Sequence, residues 1–238
     1  MKICGLLKTT LLDYPGHVAC TVFTGGCNFR CPFCHNSELL AMDVPPEYTE
    51  QEIFAFIEKR KHTLEGVAIT GGEPTLQKDL PDFIRKIRET WNLEVKLDTN
   101  GIAPELLNRL MEEKLLSYVA MDIKASPAKY AAACGIPEKS LPMEKIEESK
   151  NLLLQGKVPY EFRTTVVKGL HTAEDFPAIG EWIRGAERYA LQFYQDSENV
   201  LCRDCGFESP KPEEMLTYRK LAAPFVRNIE IRGADIEL

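Results

Sequence analysis

Val18-Ala19-Cys20-Thr21-Val22-Phe23-Thr24 runs directly into Gly25-Gly26-Cys27-Asn28-Phe29-Arg30-Cys31-Pro32-Phe33-Cys34-His35-Asn36. The first seven residues are rich in β-branched and apolar side chains, the composition of a buried strand. A glycine pair then breaks the strand, and the loop that follows carries three cysteines in a C-x3-C-x2-C pattern. In parallel α/β folds the functional residues collect on loops of this kind, at the carboxyl ends of strands.

The same alternation continues outward. Further strands are expected at 67–70, 95–98, 118–123, 161–167 and 189–194. Amphipathic helices are expected between and after them at 50–61, 79–90, 104–114, 143–155, 173–184 and 212–223. Six strand-helix units imply a parallel sheet with right-handed crossovers. A complete eight-stranded barrel takes about 250 residues. The 238 residues here therefore predict an α/β fold of partial (β/α)6 TIM-like barrel type. Runs 3–9 and 229–232 are candidates for further edge strands, and no repeat or linker divides the chain, so a single domain over 1–238 is expected.

Composition narrows the function classes. A hydrophobic share of 44% is enough for a substantial core. The net charge of −7, with 29 Lys+Arg, gives no support to a general nucleic-acid binder. The opening Met1-Lys2-Ile3-Cys4-Gly5-Leu6-Leu7-Lys8 has too short an apolar run for a secretory signal, and no later stretch approaches membrane-span length. A cytoplasmic protein without nucleic-acid or membrane partners is expected. In that compartment eight cysteines favour thiolates and metal over disulfides.

Cys27, Cys31 and Cys34 can hold three irons of a cubane and leave the fourth iron open, because full ligation takes four cysteines. Zinc is the plainer alternative, with His35 as a fourth ligand, although zinc sites usually pair C-x2-C units. A disulfide framework suits cysteines this close together poorly. Cys4, Cys20 and Cys134 read as small hydrophobes, and Cys202-Arg203-Asp204-Cys205 supplies only two ligands by itself.

Each expected strand delivers polar residues at or near its end. The second runs into Gly71-Gly72-Glu73-Pro74, a turn whose backbone can approach a charged amine or carboxylate closely. The third ends in Asp98-Thr99-Asn100-Gly101. The fourth carries Asp122 and Lys124 on one face, where Lys124 can meet an anionic group. Arg163 and Tyr194 belong to the fifth and sixth. Taken singly, each is equally a turn or a solvated strand end.

Together these segments resemble the radical S-adenosylmethionine superfamily, including the aromatic residue, here Phe33, before the last cysteine. The likeness runs from Leu12-Asp13-Tyr14-Pro15-Gly16 through the cysteine loop, Gly71 to Leu76, Lys96 to Gly101, Val119 to Lys124 and Glu161 to Val167. It is most similar to the glycyl radical enzyme activases, in particular the anaerobic ribonucleoside-triphosphate reductase activating proteins, which are related to the pyruvate formate-lyase activating enzyme. The resemblance implies one 4Fe-4S cluster on Cys27, Cys31 and Cys34, whose open iron is chelated by S-adenosylmethionine. Reduction of the sulfonium then yields methionine and a 5'-deoxyadenosyl radical. Carried over residue by residue, Gly71, Gly72 and Glu73 bind the methionine amino group, and Lys124 and Arg163 its carboxylate. Asp98, Thr99, Asp122 and a carbonyl near Ala120 hold a monovalent cation. Tyr194 stands where the pyruvate formate-lyase type has a ribose-contacting histidine; packing in the strand end is its other reading.

The implied activity is an oxidoreductase that abstracts a hydrogen atom from a glycine Cα of a partner glycyl radical enzyme. The implied electron donor is of flavodoxin or ferredoxin type. Two rivals stand beside this reading: a small radical enzyme acting on a metabolite, of the deazapurine kind, and a noncatalytic iron-sulfur or zinc-binding module.

Overall fold

The computed structural model describes residues 1–233; residues 234–238, the tail of the single domain expected over 1–238, lie outside the described residues. Eight strands form one sheet in chain order. They are β1 (Ile3–Thr10), β2 (Ala19–Thr24), β3 (Gly66–Gly71), β4 (Glu94–Thr99), β5 (Tyr118–Asp122), β6 (Tyr160–Val166), β7 (Arg188–Phe193) and β8 (Asn228–Arg232). Strands β2 to β7 are the six expected from the sequence, and both candidate edges, β1 and β8, are strands. Six helices match the amphipathic segments: α1 (Glu50–Arg60), α2 (Leu80–Trp91), α3 (Pro104–Glu112), α5 (Met143–Leu154), α6 (Asp175–Trp182) and α7 (Pro212–Ala222). A short α4 (Tyr130–Cys134) was not foreseen. No helix among the described residues is long and apolar enough to cross a membrane.

The described residues fall into two compact units. The first comprises 1–28, 38–120 and 144–159. Within it β1 is antiparallel to β2, and β2, β3 and β4 are parallel. Ala19 pairs with Gly66 and the register holds through Thr24 with Gly71, so β2 and β3 end level and their loops leave side by side. Val22, Ile69 and Leu97 have no solvent exposure, and burying each contributes roughly 1.5–3 kcal/mol. Helix α1 begins where the Thr49 hydroxyl accepts from the Glu52 N–H at 3.3 Å and the Glu52 carboxylate accepts from the Thr49 N–H at 2.8 Å. These reciprocal bonds satisfy two donors that a helix start otherwise leaves open. Phe54 of α1 stacks on Phe83 of α2 with centroids 5.2 Å apart.

Among the described residues the second unit comprises 29–37, 121–143 and 160–233. Here β6, β7 and β8 are parallel. The Ile123 N–H, just past β5, donates to the Arg163 carbonyl of β6 at 2.7 Å. Helices α6 and α7 pack through Phe176 and Tyr218, stacked at 4.3 Å and 9°. Helix α4 rests on α6 through Tyr130 and Trp182, edge to face at 5.4 Å.

Candidate active site

In the first unit the Gly71-Gly72-Glu73 turn is seated on the start of the cysteine loop. The Gly72 N–H donates to the Thr24 carbonyl at 2.8 Å, and the Glu73 N–H to the Gly26 carbonyl at 2.8 Å. A Cβ on Gly72 would lie 2.2 Å from the Gly26 oxygen. Gly71 has φ +123°, and a Cβ there would lie 2.3 Å from backbone atoms of Thr24. Both glycines are therefore required by close contact between two loops of the protein itself.

The Glu73 carboxylate is 1% exposed and clasps the end of β4. One oxygen accepts from the Thr75 N–H at 3.1 Å, the Thr75 hydroxyl at 2.5 Å and the Thr99 hydroxyl at 2.8 Å. The other accepts from the Asn100 N–H at 2.7 Å. Burial pushes its pKa up, and the bonds from Thr75, Asn100 and Thr99 offset this only in part. Asn100 extends the network, its amide donating to the Asn28 side-chain oxygen at 2.9 Å and lying 4.0 Å from the Cys27 sulfur.

The second unit holds the rest of the cysteine loop. The Cys34 N–H turns back to the Cys31 carbonyl at 2.9 Å. Cys31 and Phe33 are buried, Cys34 half-buried and His35 exposed. The end of α4 presses on this loop: the Arg30 N–H donates to the Cys134 carbonyl at 2.9 Å. Next in the chain, Gly135 (φ +63°) would place a Cβ 1.9 Å from the Arg30 oxygen. The Cys134 side chain hydrogen-bonds Cys31 and, with Lys124 and against burial, lowers that thiol to about 7. Cys134, read from the sequence as a small hydrophobe, is thus a partner of a cluster-loop cysteine. A spacing motif could not have found it, because 103 positions separate the two.

Asp122, Lys124 and Arg163 form one charged group. Lys124 Nζ donates to one Asp122 oxygen at 2.8 Å, and Arg163 Nε and Nη2 lie 3.0 and 2.9 Å from the other. Burial alone would raise the Asp122 carboxyl, but Arg163 and Lys124 hold it well below the usual carboxylate range. Lys124 is raised despite burial, chiefly by Asp122. An ammonium has donors beyond the one that Asp122 takes. His171 steadies the strand end: Nδ1 accepts from the Val167 N–H at 3.0 Å and Nε2 lies 2.9 Å from the Lys124 carbonyl. That pattern makes Nε2 the protonated nitrogen. His171 was missed because it lies beyond β6 in a turn with no motif.

The remaining expectations fare unevenly. Tyr194 follows β7, is 3% exposed, donates to Asp196 at 3.3 Å and packs edge-on against Phe207. Asp98 pairs with buried Lys96, as Asp122 does with Lys124. A monovalent cation on these carboxylates would have to compete with ammonium groups already in place. The preference for thiolates and metal over disulfides does not extend to Cys202 and Cys205, which form a disulfide with Cα atoms 5.6 Å apart. A three-residue separation on a tight turn brings them within bonding reach.

Among the described residues no three His, Cys, Asp or Glu side chains converge on one point as ligands of a single ion. A cubane asks for something else, since each of its cysteines binds a different iron. The donor set fits it: Cys27, Cys31 and Cys34 are all outside disulfides, and Cys31 ionises near neutrality.

Comparison with known proteins agrees with this chemistry. Residues 21–182 match the family model described as the radical SAM superfamily. A provisionally named glycyl-radical enzyme activating enzyme of Methanocaldococcus jannaschii is 31% identical over 97% of this chain and 95% of its own length. The pyruvate formate-lyase-activating enzyme of Streptococcus mutans is 26% identical over 92% of this chain and 91% of its own. Among solved structures, a radical SAM methyltransferase from Sphaerobacter thermophilus shares the fold, with a TM-score of 0.73 at 16% identity, covering 92% of this chain and 67% of that one. The strand-end cysteine loop, the seated glycine turn and the matched sequence lead to one conclusion: this chain is an enzyme of the radical SAM superfamily, whose cofactors are a 4Fe-4S cluster and S-adenosylmethionine.

Proposed function

We propose that the protein is a glycyl radical enzyme activase, and that its partner is anaerobic ribonucleoside-triphosphate reductase. The observation that carries the activase reading is similarity over nearly the whole of both chains to a glycyl-radical enzyme activating enzyme. The naming of the reductase rests on the sequence resemblance alone. A flavodoxin- or ferredoxin-type donor, a cytoplasmic setting and a single domain over 1–238 belong to the same reading.

When bound, the cluster and S-adenosylmethionine supply the electron and the hydrogen-abstracting radical. The chain's own residues bind and orient. Cys27, Cys31 and Cys34 would ligate three irons. Lys124 and Arg163 would take the methionine carboxylate. Gly71, Gly72 and Glu73 would face the amino group, with Glu73 holding the β3 and β4 loops in place. Phe33 would line the cluster loop, and the Tyr194 hydroxyl, which donates to Asp196, would accept from a ribose hydroxyl. A monovalent cation at Asp98, Thr99 and Asp122 would displace Lys96 and Lys124 from those carboxylates; potassium-dependent cofactor affinity tests this.

The deciding experiment mixes the reconstituted protein anaerobically with reductant, S-adenosylmethionine and the reductase. The expected outcome is a doublet electron paramagnetic resonance signal on the reductase, with deuterium from its glycine Cα passing into 5'-deoxyadenosine. Activation of a different glycyl enzyme would replace the partner and keep the chemistry. Deuterium transfer from a small metabolite, with every glycyl enzyme silent, would overturn the activase reading.

A further inference from the structure

The Cys202–Cys205 disulfide lies on the cluster loop. The Cys202 N–H donates to the Pro32 carbonyl at 2.9 Å and the Leu201 N–H to the Cys34 carbonyl at 3.0 Å. The Ser37 hydroxyl donates to the Asn199 carbonyl at 2.6 Å. Residues 199–202 therefore form a strap along the cysteine loop, and all of these residues belong to the second unit. At its far end the strap is fixed by two backbone bonds between Glu208 and Lys168, at 3.0 and 3.2 Å. The disulfide closes the short turn Arg203–Cys205 between these anchors.

The disulfide is a short-range cross-link. Its loop spans a separation of only three residues, and a cross-link that closes so short a loop removes little entropy from the unfolded chain. Cys205 is exposed and Cys202 half-buried, so an incoming thiolate has one accessible sulfur to attack. Exposed disulfides are the reducible ones, and those of reducing compartments are mostly transient or redox-sensing.

We propose that Cys202 and Cys205 form a thiol–disulfide exchange site that takes a dithiol as reductant and sets how tightly the strap holds the cluster loop. One thiolate of the dithiol attacks Cys205 Sγ; the Cys202–Cys205 bond breaks, and Cys202 leaves as a thiolate that takes up a proton. The second thiol of the reductant then attacks its own sulfur in the mixed disulfide and releases Cys205. Two electrons and two protons pass to the protein, and the dithiol becomes a cyclic disulfide. Reduction frees the turn that locks Cys202 and Leu201 against Pro32 and Cys34. The inference does not depend on which partner receives a radical.

The test uses the cluster-loaded protein under anaerobic conditions with dithiothreitol as the probe. Alkylation and peptide mass analysis count thiols at 202 and 205 along a series of reduced-to-oxidised dithiothreitol ratios, and hydrogen exchange is followed on the peptide spanning 31–36. The expected result is cooperative reduction of the pair without denaturant, with amide exchange at 31–36 faster by several-fold. The Cys202→Ser/Cys205→Ser double variant should show the fast exchange at every ratio, with iron content unchanged. Three results would each overturn the proposal: a pair that resists dithiothreitol until the protein unfolds, exchange at 31–36 that ignores the redox state, or loss of iron in the double variant, which would make the pair metal ligands instead.

Discussion

Glu73 and Asp122 are both carboxylates at strand ends, one in each compact unit, and the chain has solved the burial of their charge in opposite ways. Glu73 is satisfied by neutral donors alone, the hydroxyls of Thr75 and Thr99 and the amides of Thr75 and Asn100. Asp122 is satisfied by two cations. Neutral donors do not fully offset desolvation, so Glu73 is pushed up; guanidinium and ammonium more than offset it, so Asp122 is held down. The difference separates their work. The Glu73 clasp ties the ends of β3 and β4 together through neutral donors, whereas the Asp122 group gathers two cations at the end of β5.

The most severe way to break this comparison is Asp122→Ala, which removes the carboxylate that Lys124 and Arg163 share. With the three side chains 13–29% exposed, the expected loss is about 2–3 kcal/mol of unfolding free energy, somewhat below that for a fully buried pair. Urea denaturation checks it, and a loss under 0.5 kcal/mol, the range of ordinary surface substitutions, would mean that the pairs are solvated. Glu73→Gln is next. An amide cannot accept from all four donors, so one is left facing an NH2 group, at a cost of roughly 1–3 kcal/mol. Wild-type stability in that variant would show that the clasp is ornamental.

The pH dependence should separate the two more finely. For Glu73 the native state binds the proton more tightly than the unfolded chain, so its contribution falls as pH rises from 4.5. For Asp122 the native state binds it less tightly, so its contribution is complete above pH 3.8 and is lost only as pH falls further. Between pH 4.5 and 7 the stability gap between wild type and Glu73→Gln should narrow, while the gap to Asp122→Asn stays flat. Parallel curves would contradict the assignment of neutral and ionic partners. The smallest expected effect is at Cys134→Ala. Without its hydrogen bond Cys31 should ionise above its present value of about 7, and alkylation of Cys31 at pH 7 in cluster-free protein should slow several-fold, since only the thiolate reacts.

Much of this was legible in the sequence. The strands β2 to β7 announce themselves by short β-branched runs, and the polar residues past them follow from where parallel folds keep their loops. Lys124 and Asp122 could be paired because alternate residues of a strand share a face. What escaped depends on contacts between distant segments. Helix α4 spans five residues, too few for a period to register, so neither the Cys134 contact nor the seat of Gly135 on Arg30 was visible. Nor does anything local show that Thr99 and Asn100 donate to the Glu73 carboxylate. His171 acts through a carbonyl, a group every residue has.

The seat of Gly72 on the Gly26 carbonyl bears on how the protein tolerates mutation. Contacts between side chains degrade by degrees, since a smaller or larger residue can be met by a neighbour's rotamer. This contact joins backbone to backbone, with the Gly26 oxygen standing where any Cβ at Gly72 would go. No neighbour has atoms to withdraw. In a saturation scan the tolerance at 72 should therefore be a step function, with alanine as damaging as tryptophan, while buried positions such as Ile69 should grade smoothly with volume. A repair would have to move the whole loop, so second-site suppressors of Gly72 substitutions should be insertions or deletions rather than single replacements.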